Sequence, residues 1–360
     1  MTYRTSTTSF TSLPLALTLG ISIVTVGCGR GAGDANAMST TGASPGARAD
    51  TAGTVGGSRS SPGGVSRSSS EGDITADSTR RLPPNHMGRI PVLEYHVIGG
   101  QKDALYTRTA ESFRRDLEDA YQRGYRPITI SQMLDKDFSD VPDGMSPVVV
   151  VFDDASAEQF SYVDQNGALE IDSTSGVGIW VDFAKSHPGW KNRGVFCMLN
   201  GAAAGHNFFG DGPKYRGQHR QWRFRKVKWL ADNGFELCAH TLWHAKLNKY
   251  PDSVVQEQIA RNLMGIDSAV AGYKVRTFAL PYGLWPKNRE LAWQGSWTDP
   301  KTGRAHSYRF DAVLEVSGGP ARSPYDPQFN PHSVTRIEAI GDDIKKQLDK
   351  LDATKTRFVK

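Results

Sequence analysis

At 360 residues the chain has room for one large domain or two ordinary ones, and 43 Lys and Arg against 38 Asp and Glu leave a formal charge of +5. Part of that small excess sits in arginines of an N-terminal segment not expected to fold. The balance therefore argues only weakly for an anionic partner and rules out reading the function from bulk charge.

The N-terminus, residues 1–28, reads as an export signal. Arg4 supplies a positive flank, Leu13 to Val26 forms an apolar segment, and small residues lead to Cys28. The apolar stretch is too short and too poorly flanked for a membrane-spanning helix. "TVGC", Thr25 to Cys28, resembles a lipobox, with Thr25 where an aliphatic residue is usual. In a lipobox the cysteine is lipidated and becomes the mature N-terminus, so the expected location is a membrane-anchored one at the cell surface or in the periplasm. Secretion without the lipid is the alternative. Residues 29–84 follow as a Gly-, Ser-, Ala- and Thr-rich tether without apolar periodicity, closed by Pro83 and Pro84. Beyond Cys28 only Cys197 and Cys238 remain. Both lie in apolar, strand-like segments and are expected as free, buried thiols.

From residue 85 to 360 a single folded domain is expected. "IPVLEYHV" (90–97) reads as the first strand. In "TAESFRRDLEDAYQRG" (109–124), Phe113, Leu117 and Tyr121 recur at helical spacing, Thr109 is an N-cap and Gly124 a stop. Further strands are predicted at "YRPITI", "VVVVF", "GVFCML", "FELCAH", "VRTFAL" and "DAVLEV". Helices are predicted over 218–233 and 253–271, the second stepping through Val255, Ile259, Leu263, Ile266 and Val270. Continuous apolar strands separated by helices indicate an α/β fold whose parallel sheet is covered on both faces. About 270 residues of this pattern suit one (β/α) barrel.

In such folds the working groups gather at the C-terminal ends of strands. "VVVVFDD" ends on Asp153 and Asp154, "FELCAHTLWH" on His240 with His244 four residues on, and "IPVLEYHV" carries His96 near its end. One carboxylate and two histidines form an ordinary ligand set for zinc or a similar divalent ion. A second carboxylate beside them can act as base toward water at the metal. Taken singly, each motif has a blander reading. Asp-Asp after a strand is more often a helix N-cap with a solvated neighbour, and His-x-x-x-His more often two satisfied histidines. Their joint occurrence at converging strand ends favours the metal site.

"VVFDD", "HTLWH" and "FALPYG" resemble the motifs of the polysaccharide deacetylases, the NodB-homology carbohydrate esterases, over about Ile90 to Arg336. The resemblance implies a distorted, TIM-like barrel and a hydrolase acting on an N-acetylated polysaccharide. It implies Asp153 as catalytic base and Asp154, His240 and His244 as metal ligands, with zinc first and cobalt or nickel as alternatives. Thr241 falls where a hydroxyl braces the loop, and the Pro281–Tyr282 turn would hold the oxyanion on the Tyr282 N–H. Three positions depart from the pattern: Val151 and Ala155 stand where Thr and Gly are usual, and Ala279 stands where an arginine orients the base. Arg336 in "VTRIEA" is the candidate replacement.

The family's general acid is a histidine in a late Leu-x-x-His motif. None follows "FALPYG", where the nearest thing is "FNPH" with His332. "LEYH", Leu93 to His96, fits the motif on the first strand instead. A closed barrel makes first and last strands neighbours, so His96 is preferred to His332. This order resembles the circularly permuted branch that includes poly-N-acetylglucosamine deacetylases. Trp243 and Trp285 sit beside motifs where they would stack on sugar rings. "KYRGQHRQWRFRKVKW" (214–229) interleaves basic and aromatic residues, and is read as a solvated helix face rather than a nucleic-acid surface. The expected partners are thus a glycan and, through lipid alone, a membrane, but no nucleic acid; a monomer is expected. An O-acetyl esterase and a non-catalytic glycan-binding lipoprotein are the competing readings.

Overall fold

The computed structural model describes residues 81–360 apart from Ala204. The export signal, Cys28 and the tether up to residue 80 lie outside the described residues. No helix among the described residues is long and apolar enough to cross a membrane.

Eight parallel strands form the main sheet: β1 (Val92–Tyr95), β2 (Tyr125–Pro127), β3 (Ser146–Phe152), β4 (Val195–Met198), β5 (Glu236–Ala239), β6 (Thr277–Ala279), β7 (Ala312–Gly318) and β8 (Val334–Glu338). β3 through β8 pair in chain order. β1 pairs on one side with β8, Leu93 opposite Ile337, and on the other with β3, Leu93 opposite Val150. The result is a closed barrel of seven strands, with β2 attached to β3 outside the ring. The (β/α) barrel expected from the alternation of apolar runs and helices is therefore present. β8, unmarked by a long apolar run, is the strand that closes it.

Strand alternation sorts the core into two clusters. Val148, Val150 and Phe152 of β3 face outward and pack with Phe196, Phe113 and Trp180, while Val149 and Val151 face inward with Val92, Val195, Cys197, Cys238, Ala279 and Leu314. Both faces of β3 are buried, which explains an unbroken apolar run where a half-exposed strand would alternate. The floor of the barrel is filled by the short helix α2 (Ile130–Leu134), which contributes Ile130 and Met133 and starts from a Thr129–Gln132 capping box.

The predicted helix ends hold closely. α1 spans Ala110–Gln122; the Thr109 hydroxyl accepts from the Ser112 N–H, and Gly124 takes the left-handed conformation (φ +80°) just beyond the C-cap. A 3-10 turn at Arg220–Trp222 precedes α4 (Arg223–Asp232), and α5 covers Asp252–Ala269. α3 (Gly176–Ser186) is not apparent from periodicity, because two glycines occupy its first turn. Gly178 is required there: a Cβ would lie 2.1 Å from the Asp172 carbonyl oxygen. The basic stretch departs from a purely solvated face at Lys226, which is fully buried with its ammonium group 2.6 Å from the Phe209 carbonyl. Burial pushes its pKa down to about 7.

The cysteines are also corrected. Cys197 and Cys238 form a disulfide instead of remaining free thiols, with Cα atoms 4.1 Å apart. Both side chains point into the barrel from adjacent strands, and pairing of β4 with β5 places the two residues directly opposite each other. Register, which spacing along the chain does not reveal, brings the thiols together. With the cysteines 41 positions apart, loop-closure entropy assigns the bond an upper value of about 4 kcal/mol. Neither cysteine should react with a thiol reagent in denaturant before reduction. The Cys197→Ala/Cys238→Ala double variant should lose about 2–4 kcal/mol in urea unfolding.

Candidate active site

β3 ends on the two aspartates. Asp153 continues the inward series of Val149 and Val151, and its backbone N–H donates to the Tyr95 carbonyl of β1 (2.9 Å). The chain then turns sharply: Asp154 and Ala155 have φ of +80° and +50°. Left-handed backbone at a non-glycine residue costs about 1–2 kcal/mol, so the surroundings must hold it. Ala155 thus adopts left-handed backbone at the position where the sequence resemblance led to an expectation of glycine. Its carbonyl is fixed by the Phe209 N–H (2.8 Å), and Lys226 in turn holds the Phe209 carbonyl.

β5 runs inward through Cys238 to His240. The His240 Nδ1 lies 2.9 Å from the Ala279 carbonyl, an obligate acceptor, so Nδ1 carries a proton and Nε2 turns toward Asp154 Oδ1 at 3.4 Å. His244 Nε2 approaches the same oxygen at 3.5 Å. The Thr241 hydroxyl accepts from the N–H groups of His244 and Ala245 and braces this loop. Asn262 of α5 accepts from the His240 N–H and donates to the Met198 carbonyl, tying the ends of β4 and β5 together.

Ligating atoms of Asp154, His240 and His244 all lie within 4.8 Å of one another. Asp154 Oδ1 and His240 Nε2 are buried and hydrogen-bonded to nothing among the described residues. Leaving such atoms unsatisfied is costly. One oxygen and two imidazole nitrogens left open toward a common point fit a divalent cation of the zinc type.

A second cluster adjoins the first. Arg336 of β8, wholly buried, reaches Asp153 Oδ1 at 2.9 Å and Glu94 Oε1 at 3.3 Å, and Glu94 Oε1 lies 3.6 Å from His96 Nε2. A guanidinium between the carboxylates already compensates this group, which therefore is no cation site. Arg336 thus supplies the guanidinium beside Asp153 that was expected of it in view of Ala279. Burial would raise the Asp153 pKa, but Arg336 and then His240 outweigh it and hold the carboxyl low. Burial dominates at Glu94 and pushes its pKa well above the ordinary value despite Arg336. The two carboxylates are thereby separated, with Asp153 the ionised one. Asp154 is held well below the usual carboxylate range; burial opposes this, and the close approach of the His240 imidazole is the strongest of the lowering influences. Burial lowers His96, and at His244 it brings the imidazole down to about 4.

His96 and His332 separate clearly. His96 lies beside Glu94 and within the field of Asp153, Asp154, Arg336 and His240, whereas His332 stacks on Trp293 with Arg309 and Asp311 nearby. Pro281 is buried at the start of a 3-10 turn, and Tyr282 follows with φ +57° and its ring 4.2 Å from that of His244. Trp243 is exposed. Trp285 donates to Glu315, has Arg289 stacked on its ring at 3.7 Å, meets Trp293 edge-on and packs against the core, so it is largely occupied by the protein's own side chains. Sequence reasoning passed over Glu94 and Asn262. Glu94 was detectable as a carboxylate two residues before His96 on the same strand face, and Asn262 as a polar residue on the apolar face of α5.

Arg336→Met would leave two buried carboxylates without their cation and should lower stability by about 3–5 kcal/mol in urea unfolding. The low Asp153 pKa contributes stability above the unfolded carboxylate value of about 3.9 and loses it as pH falls through the folded value. Acid unfolding of the variant should accordingly begin at higher pH than in the parent.

Residues 194–294 match the family described as polysaccharide deacetylase. No curated protein matches the chain. Among solved structures, the Streptococcus pyogenes deacetylase PplD, in complex with acetate, is similar at 14% identity and a TM-score of 0.50, covering 74% of this chain and 98% of that one. IcaB from Ammonifex degensii is similar at 18% identity and a TM-score of 0.48, covering 72% and 95%. The matched segment spans β4, the His240–His244 loop and the Pro281 turn, so the similarity to the polysaccharide deacetylase family covers that part of the barrel.

Proposed function

We propose that the chain is a metal-dependent hydrolase that removes N-acetyl groups from a sugar polymer outside the cytoplasm. The observation that carries this reading is the division of labour between adjacent aspartates. Asp154 faces two histidines, and Asp153 faces a buried guanidinium with His96 close by. Asp154, His240 and His244 would hold the divalent ion, zinc before cobalt or nickel. When bound it would polarise the acetyl carbonyl and lower the pKa of water.

The chain's own residues account for the proton movements. Asp153, kept ionised by Arg336, takes the proton of the attacking water as the new C–O bond forms. The Tyr282 N–H, presented by the Pro281 turn, stabilises the resulting tetrahedral oxyanion. His96 delivers a proton to the nitrogen as the C–N bond breaks, leaving acetate and a free amine on the sugar. An amide needs that proton because its amine is otherwise a very poor leaving group, whereas an O-acetyl ester depends on it less. His96 beside Asp153 therefore favours amide hydrolysis over the esterase reading. Trp243 and the half-exposed Tyr282 ring offer apolar faces to sugar rings. The acid's strand comes first in the chain, as in the permuted branch, so poly-N-acetylglucosamine is the first glycan to test. Cys28 would anchor the protein to the membrane.

Acetate release from a panel of N- and O-acetylated glycans, with metal analysis of the same sample, tests the proposal. Asp153→Asn should keep its metal and lose about 10²–10⁴-fold in rate; a variant that retains activity would remove Asp153 as the base. His96→Ala should lose rate more severely on amide than on ester substrates. Equal losses on both would remove His96 as the proton donor to the amine.

A further inference from the structure

His206 lies outside every motif and outside the Asp154, His240 and His244 cluster, yet its Nδ1 is 3.7 Å from Asp154 Oδ2. The two oxygens of Asp154 thus face different partners. Oδ1 meets both ligand histidines, and Oδ2 meets His206 alone among these imidazoles. The separation exceeds an ordinary N–H···O hydrogen bond by less than about 1 Å.

The loop that carries His206 is anchored on both sides. Before it, the Gly201 N–H donates to the Leu242 carbonyl (2.7 Å), which ties the loop to the segment between His240 and His244. After it, Asn207 is held by Arg223 and Asp211, and the left-handed pair Phe208 and Phe209 (φ +46° and +68°) returns the chain toward Leu199 and Ala155. The Phe209 N–H to Ala155 carbonyl bond joins this loop to the residue directly after Asp154. Buried Lys226 holds the Phe209 carbonyl, in the next peptide along. His206 and Asp154 therefore belong to two loops that are pinned together next to both of them.

We propose that His206 is a positioning residue of the metal centre, donating from Nδ1 to the outer oxygen of Asp154 so that Asp154 presents Oδ1 alone to the ion. A carboxylate ligand without an outer partner is free to rotate and engage through both oxygens, and groups that orient a ligand in this way set affinity as well as geometry. This inference rests on the metal-centre reading above.

The test uses the full chain and cobalt(II), titrated against a chelating competitor, with the visible absorption spectrum of the bound ion as a second readout. His206→Ala should bind cobalt about 10–100-fold more weakly and with an altered spectrum. His206→Gln, which restores an N–H donor, should recover part of both. His206→Phe keeps ring bulk without a donor and should behave as the alanine variant, and circular dichroism confirms which variants are folded. Parental affinity and spectrum in either folded donor-free variant would overturn the proposal while leaving the metal centre intact. If the parent itself binds no cobalt, the metal-centre reading fails and the role of His206 with it.

Discussion

The site depends on one buried cation. Arg336 projects from the closing strand into the barrel interior, where it is wholly buried and touches Asp153 and Glu94. Two carboxylates at the rim of an apolar cylinder would otherwise repel each other and resist ionisation. With the guanidinium present, Asp153 stays ionised, while Glu94, buried more severely than it is compensated, is pushed toward its neutral form. The barrel must close through β8 for this to happen, so closure and chemistry rest on the same strand.

A second constraint is local. Asp154, Ala155, Thr241, His244 and Tyr282 all have left-handed backbone, and none is glycine. Each conformation is unfavourable taken alone, and such residues persist where the surroundings over-determine them. Here the restraints can be named: the Phe209 N–H on Ala155, Lys226 behind Phe209, the Thr241 hydroxyl under His244, and Asn262 on His240. Lys226 connects helix packing to the ligand loop. An amine with a pKa near 7 can hold a carbonyl in either form, because both donate, the ammonium more strongly. The basic stretch around it thereby supports the site from behind as well as contributing surface charge.

Much of this was legible in the chain. Runs such as Val148 to Phe152 predict buried parallel strands, and the same runs end on Asp153, Asp154 and His240, because an unpaired charge is tolerated more readily where a strand leaves the core. His96 was legible for a topological reason, since a closed ring makes the first strand a neighbour of the last. What stayed hidden involves partners supplied by other strands and loops. The Cys197–Cys238 bond follows from the register between β4 and β5, and two cysteines in apolar runs look the same whether paired or free. Glu94 reads as one carboxylate among many until alternation and closure place it beside Arg336.

By itself, then, the sequence determined the class of fold and the strand ends at which the polar groups of the candidate site gather. Periodicity and residue type are local properties and survive in a linear reading. The tertiary structure decided which groups meet: Arg336 with Asp153, His206 with Asp154, Lys226 with the carbonyl behind Ala155, and one cysteine with the other. Those pairings span from 17 to 183 positions along the chain and depend on register, closure and loop anchoring, which no short stretch of residues encodes.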